Sequence, residues 1–365
     1  MSREQTIQTV LGLFGPGTKV ALAGHINPDG DSIGSMLALA ELLKARGCQV
    51  VKLLPNDQAV PAVYGFMGEY GLALDFVPPA QYHEDPDLFI ALDLSQSYRL
   101  DQAGAVFARS KKSLVIDHHP NPDDFSDYML HDETAAAVGL LVWELIGSSG
   151  EKTTLAMASA CYLALLTDTG RFSFQNTNAQ VLAAAAEMTA AGADPASISQ
   201  AVYDTRSLGS LKLDARLVER MEYLVPDKVV YSWVYEDDFA ELGVALDDTE
   251  SLINLLRSVA GAELAILLRE DGIQVRVNLR ARGSYNASKL ASDHGGGGHQ
   301  AAAGFNFAGT IPEAATAIRH YLESEGILAA DSRPNFKDSQ HAQAVSSDRD
   351  GHNERPVPPA LSQPG

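Results

Sequence analysis

The first half of the chain alternates short, mostly apolar runs with longer amphipathic stretches. Residues 19–23, 49–54, 88–92 and 113–116 are runs of the first kind, and several end abruptly in polar residues. Such runs suit strands buried on both faces of a parallel sheet. Residues 32–46, 134–146 and 155–167 are long and apolar enough for packed helices. The alternation predicts an open α/β fold: a mainly parallel sheet with helices on both faces. Residues 178–191, 196–203 and 208–223 read as a helical connector. A turn at 225–227 then precedes a strand at 229–235, and Asp248 or Thr249 can cap a helix over 250–259. Alternating strands at 263–270 and 273–280 meet at Asp271-Gly272, a strong hairpin signal. A short helix over 286–294 runs into four glycines, and Pro312 sits near the start of a last helix ending about Glu325. The expected organisation is a first domain at 1–190, a connector at 191–214 and a smaller α+β domain at 215–327, with a cleft between the domains. Beyond 328 periodicity disappears, and residues 328–365, rich in Ser, Asp, Gln, Asn and Pro, read as a disordered tail.

Composition narrows the function classes. The 365 residues carry 27 Lys plus Arg against 47 Asp plus Glu, a net charge of −20. So acidic a chain repels a nucleic-acid backbone, which argues against coating long duplexes. Two cysteines, Cys48 and Cys161, provide neither a disulfide framework nor a thiolate cluster. No stretch approaches the roughly 18 apolar residues of a membrane span, and the N-terminus lacks the pattern of a secretion signal. A soluble, reduced, cytoplasmic protein is the starting expectation.

Four segments then carry candidate chemistry. The first, Gly24-His25-Ile26-Asn27-Pro28-Asp29-Gly30-Asp31, follows a strand and opens a helix. A loop there lies at the carboxyl end of its strand, where open α/β sheets bind ligands. One imidazole and two carboxylates without cysteine form a hard donor set, suited to Mn²⁺ or Mg²⁺ rather than structural Zn²⁺. The bland alternative is a helix cap with a surface histidine. In the second segment, Asp93 emerges after the apolar run Phe89-Ile90-Ala91-Leu92. In the third, Val115-Ile116-Asp117-His118-His119-Pro120, two adjacent imidazoles can diverge, and Asp117 could serve the second ring nitrogen of a ligating histidine. In the fourth, Asp168 ends a long apolar helix, where an acid is unfavourable unless a cation lies nearby. Gathered around one cleft, His25, Asp29, Asp31, Asp93, His118 and Asp168 match two metals sharing a bridging carboxylate.

The second domain has a run at 293–305 with Gly295, Gly296, Gly297 and Gly298 before His299. Glycines allow close backbone approach and can present N–H groups to an anion. Upstream, residues 272–292 contain Arg276, Arg280, Arg282 and Lys289 and no acid. Strand alternation would set the three arginines on one face, which is also how a solvated sheet face would look.

Together these motifs resemble a DHH-family phosphoesterase of the subfamily with a DHH-associated C-terminal domain, over residues 5–327. Within it the chain most resembles the nanoRNase and pAp phosphatase group. The resemblance implies that His25, Asp29 and Asp93 hold one ion, Mn²⁺ preferred over Mg²⁺. Asp31, Asp93, His118 and Asp168 would hold a second, with Asp93 bridging. It implies that Asp117 orients His118, that His119 faces the substrate phosphate, and that Arg280, Gly296, Gly297, Gly298 and His299 grip the substrate. Hydrolysis by a water activated between the two ions follows, on nanoRNA, dinucleotides such as pApA, or 3′-phosphoadenosine 5′-phosphate. Cyclic di-AMP hydrolysis, an inorganic pyrophosphatase or exopolyphosphatase, and a non-catalytic nucleotide sensor are the alternatives. Long duplex nucleic acid and membranes are not expected partners, and a homodimer is compatible with the reading. Two departures stand out. Relatives often read Leu-Arg-Ser at Leu279-Arg280-Ala281, and often place Lys where this chain has Gln300.

Overall fold

The computed structural model describes residues 2–56, 59–120, 122–244, 250–283 and 285–327. The expected tail at 328–365, and the Asp248 and Thr249 cap, lie outside the described residues. The chain divides into two compact units, one ending at Ser207 and the other starting at Leu208.

In the first unit, α1 (Arg3–Leu11) leads into β1 (Lys19–Ala23), α2 (Gly30–Ala45), β2 (Gln49–Leu53), β3 (Phe76–Val77) and β4 (Leu88–Leu92). Then come α3 (Gly104–Phe107), β5 (Ser113–Asp117), β6 (Tyr128–His131), α4 (Val138–Ser148), α5 (Leu155–Asp168), α6 (Ala179–Ala190) and α7 (Pro195–Tyr203). Three 3₁₀ segments lie at Ala62–Tyr70, Pro79–Gln81 and Ser97–Ala103. The six strands are all parallel, in the order β3-β2-β1-β4-β5-β6. Alternate side chains divide the core. Val20, Leu22, Ile90, Leu92, Leu114 and Ile116 face α2, α4 and α5. Ala21, Ala23, Phe89, Ala91 and Val115 face the opposite way, onto Leu100, Ala103 and Val106. That second face is covered by the 3₁₀ segment Ser97–Ala103 and the single turn of α3. Helix α2 is buried around almost its whole circumference, against the sheet on one side and α4 and α5 on the other. Glycine permits this: a Cβ on Gly34 would stand 2.5 Å from the Ala160 carbonyl oxygen of α5.

Strand order reverses between β1 and β4. Loops leaving neighbouring strands there run to opposite faces and open a crevice at the carboxyl ends, the ligand site of open α/β sheets. His25 follows β1, Asp93 follows β4, and His118 follows β5.

The second unit comprises α8 (Leu208–Glu219), β7 (Glu222–Val225), β8 (Val229–Val234), α9 (Glu236–Leu242), α10 (Glu250–Arg257), β9 (Leu264–Asp271) and β10 (Gln274–Ala281). It continues with α11 (Ala287–Asp293), β11 (Gly297–Gly298), β12 (Ala302–Ala308) and α12 (Ile311–Ser324). Its sheet runs β11-β12-β10-β9-β8-β7 and is antiparallel except for the β8–β9 pair. The β9–β10 hairpin turns at Gly272, φ 61°, with Gln274 opposite Asp271. One face packs on α11 and α12. The other packs on Leu213 and Leu217 of α8 and Leu252, Ile253 and Leu256 of α10. Among the described residues no helix is long and apolar enough to cross a membrane.

Candidate metal centre

The first loop is built by backbone constraints. Gly24 lies so close to α2 that a Cβ there would stand 1.9 Å from Ser32 Oγ, which only glycine tolerates. Asp29 is the N-cap of α2, its Oδ1 accepting from the N–H groups of Asp31 at 3.1 Å and Ser32 at 3.0 Å. Asp31, on the first turn of α2, reaches across to α4. That helix begins after Ala137, which has no capping side chain. Asp31 takes the role instead: Oδ2 accepts from Val138 N at 2.6 Å and Oδ1 from Gly139 N at 2.9 Å and Ser35 Oγ at 3.0 Å. A carboxylate at a helix N-terminus is favoured by the helix dipole. Asp93 leaves β4 in the left-handed region, φ 63°, with its N–H held by the Ile116 carbonyl at 3.0 Å. Such a conformation is costly for a side-chain-bearing residue and clusters at functional sites.

The two ligand-type histidines share one arrangement. His25 turns Nδ1 to the Ile26 carbonyl at 2.6 Å, and His118 turns Nδ1 to the Ala135 carbonyl at 3.0 Å. Each carbonyl calls for a proton on Nδ1, so Nε2 is the nitrogen that faces inward and can be offered to a metal. His25 Nε2 faces Asp93 Oδ2 at 3.2 Å and Asp29 Oδ1 at 3.8 Å. His118 Nε2 faces Asp168 Oδ2 at 3.6 Å, Asp93 Oδ1 at 3.7 Å and Asp31 Oδ2 at 3.9 Å. Asp93 thus offers one oxygen to each histidine. Ligand atoms of His25, Asp29 and Asp93 all lie within 4.8 Å of one another, and so do those of Asp31, His118 and Asp168.

The electrostatics suit a cation. Burial and the nearby Asp29 and Asp31 charges push Asp93 well above the ordinary carboxylate range. Burial also raises Asp31, with help from Asp29 and against His118, to about 6. Burial by itself would lower His25, but hydrogen bonds to Asp29 and Asp93 carry it to about 10. Several carboxylates and imidazole Nε2 atoms aimed at common points need positive charge between them. Oxygen and imidazole donors without thiolate fit a divalent ion such as Mn²⁺ or Mg²⁺. Asp31 and Asp93 are sealed, 1% and 3% exposed, whereas Asp29 and Asp168 are 48% and 30% exposed and mark the open side.

Asp117 corrects one expectation. Its carboxylate does not serve His118. Oδ1 accepts from His119 Nδ1 at 2.8 Å and Oδ2 from the His119 N–H at 3.1 Å. Strand alternation explains this, because residues 117 and 119 point to one side and 118 to the other. The acceptor for His118 is the Ala135 carbonyl, which no side-chain pattern could announce. The expected helix over 134–146 accordingly starts later, at Val138, which frees Ala135 for this role.

The remaining candidates belong to the second unit. Arg276 and Arg280 share the half-buried face of β10, and Arg282 follows the strand's end. Gly297 and Gly298 pair with Gly304 and Ala303 as a short strand, and a turn closes through His299 N to the Ala302 carbonyl at 2.7 Å. The four glycines are therefore partly committed to a hairpin.

Residues 19–167 match the DHH family, N-terminal domain, and residues 227–324 match the DHHA1 domain. The chain carries a DHH domain followed by a DHHA1 domain. It is a metal-dependent phosphoesterase, a hydrolase of phosphate ester bonds. It is 29% identical to the bifunctional oligoribonuclease and PAP phosphatase of Thermus thermophilus, over 85% of this chain and 92% of that one. It is 26% identical to the Bacillus subtilis protein of the same name, over 78% and 88%. An exopolyphosphatase-related protein from Bacteroides fragilis superposes with a TM-score of 0.81 at 26% identity, over 88% of this chain and 96% of that one.

Proposed function

We propose that this DHH-family protein hydrolyses short nucleotides: nanoRNA, dinucleotides such as pApA, and 3′-phosphoadenosine 5′-phosphate. The carrying observation is the Asp93 carboxylate, with Oδ2 toward His25 Nε2 and Oδ1 toward His118 Nε2. His25, Asp29 and Asp93 would hold one divalent ion, and Asp31, Asp93, His118 and Asp168 a second, Mn²⁺ by preference. When bound, such ions lower the pKa of a water and offset charge on the phosphoryl oxygens. The chain's own residues do the rest. Asp31 and the α4 N-terminus hold each other in place, so the donor set is preorganised. Asp117 keeps the His119 proton on Nδ1 and aims Nε2 outward, where it can take up a proton and pass it to the leaving oxygen. In the second unit, Arg280 and the turn at His299 would offer donors to a phosphate or terminal nucleotide. The named relatives, an oligoribonuclease and PAP phosphatase in both cases, support this substrate class.

The test is a kcat/KM panel in Mn²⁺ and in Mg²⁺ over pAp, pApA, cyclic di-AMP, short RNA, pyrophosphate and polyphosphate. Turnover of pAp, pApA or short RNA above the rest is expected. A folded, metal-loaded protein that turns over only pyrophosphate or polyphosphate, or nothing, refutes the proposal.

A further inference from the structure

One cation beside the centre is left unused by this account. Arg99 lies in the 3₁₀ segment Ser97–Ala103 that follows Asp93. Its backbone is stitched to the site from two sides. The Arg99 carbonyl accepts from the N–H of Ile26, next to His25, at 2.9 Å. In the same connection, the Ser95 carbonyl accepts from the N–H of Asp123, just beyond Asp117-His118-His119, at 2.7 Å. Two residues on, Asp101 adopts φ 46°, ψ −125°, with its carboxylate taking a bond from Asn56 Nδ2 at 3.4 Å. A strained non-glycine conformation persists only where surrounding structure over-determines it, so this segment is held, not loose.

The side chain is half-buried. Among the described residues it makes no hydrogen bond and no ion pair. Other arginines of this unit contrast with it: Arg3 binds Glu144, Arg46 binds the Phe14 carbonyl, and Arg109 binds the Tyr82 carbonyl. A guanidinium carries five donors in a planar fork that matches a phosphate edge. The group that would satisfy it at this centre is anionic and tetrahedral.

We propose that Arg99 is a phosphate-binding residue of this centre, gripping nonbridging phosphoryl oxygens of a nucleotide phosphate. The inference rests on the phosphoesterase reading and deepens it. It adds a substrate cation supplied by the same unit as the metal ligands.

The experiment compares the full chain, Mn²⁺-loaded, with its Arg99→Ala and Arg99→Lys variants. Four quantities are read: kcat/KM for pAp, calorimetric affinity for inorganic phosphate, affinity for Mn²⁺, and melting temperature. Arg99→Ala is expected to lower kcat/KM about 100-fold, the usual loss for one transition-state donor. It is expected to weaken phosphate binding about tenfold while leaving Mn²⁺ affinity within about twofold. Arg99→Lys should recover part of both, keeping the charge but not the fork. Values within about twofold of wild type in both phosphate affinity and kcat/KM overturn the inference. So does a parallel loss of Mn²⁺ affinity, which would make Arg99 a support of the metal cage. If the wild type hydrolyses no nucleotide, the proposed function fails by itself, and phosphate affinity alone decides Arg99. If Arg99→Ala does not fold, Arg99→Lys decides, with an unchanged phosphate affinity counting against the inference.

Discussion

Replacing Asp117 with asparagine would separate proton handling from metal binding. Asp117 is fully buried at the end of β5, and both its oxygens are committed to His119, Oδ1 to the ring Nδ1 at 2.8 Å and Oδ2 to the backbone N–H at 3.1 Å. Asparagine has the same shape but can accept on one side only. The lower-energy choice keeps its oxygen on the backbone N–H and turns its NH₂ to the ring. That choice forces the His119 proton from Nδ1 to Nε2, where the ring can no longer take a proton up. A hydrogen bond to a charged partner is worth about 1.5–3 kcal/mol. At about 1.4 kcal/mol per factor of ten, that predicts a loss of about 10- to 150-fold in kcat. The tautomer reversal adds to this, since the same substitution in the serine-protease triad costs about 10⁴. Asp117 faces neither inward-pointing Nε2, so Mn²⁺ affinity should change little. The assay is steady-state turnover of pAp in saturating Mn²⁺, with calorimetric titration of Mn²⁺ alongside. A kcat within about threefold of wild type, or a fall in Mn²⁺ affinity matching the fall in kcat, refutes the reasoning.

Other outcomes follow from the same geometry. Asp93→Ala removes the carboxylate that faces both histidines, so calorimetry should show fewer bound Mn²⁺ per chain. Because burial and repulsion burden that carboxylate, the metal-free variant should melt no lower than the metal-free wild type; a clear drop would contradict this. Asp238 of the second unit accepts from Arg216 at 2.8 Å, from Arg220, and from the Tyr235 N–H at 2.8 Å. Burial would raise its carboxyl, but the Arg220 bond and its other donors hold it below the ordinary range. Its contribution is therefore full above the unfolded carboxylate pKa of about 3.9 and lost as pH falls through the lower folded value. Asp238→Ala should cost about 1.5–3 kcal/mol near pH 7, because Arg220 loses its carboxylate while Arg216 keeps Glu241. In urea unfolding between pH 7 and pH 2 the gap between variant and wild type should close at the acid end. Gly34→Ala should lower the melting temperature, because a Cβ 2.5 Å from the Ala160 carbonyl forces α2 and α5 apart at a cost of about 1–3 kcal/mol.

Local pattern made much of the molecule readable. The strands at 19–23, 88–92 and 113–117 are buried on both faces, so each is a nearly unbroken apolar run. The hairpin turn at Gly272 needs a left-handed residue and announces itself as Asp-Gly. Edge pieces were silent. Strand β3 has only two residues, and β6 (Tyr-Met-Leu-His) pairs on one side only. The 3₁₀ cover at Ser97–Ala103 has no periodicity to detect, and it carries Arg99. A cation soon after a candidate ligand, in Asp93-Leu94-Ser95-Gln96-Ser97-Tyr98-Arg99, was the one available hint.

The sequence by itself determined the chemistry available: which donors exist, that each leaves the end of an apolar element, and that thiolate is absent from the set. It could do so because burial and turn formation are written in neighbouring residues. Only the tertiary structure decided how those donors are aimed. The Ala135 carbonyl that turns His118, the α4 N–H groups that anchor Asp31, and the pairing of Asp117 with His119 all involve backbone groups or side-chain directions. Backbone groups are the same in every residue, so their roles become specific only when helices and strands pack at glycine-permitted distances.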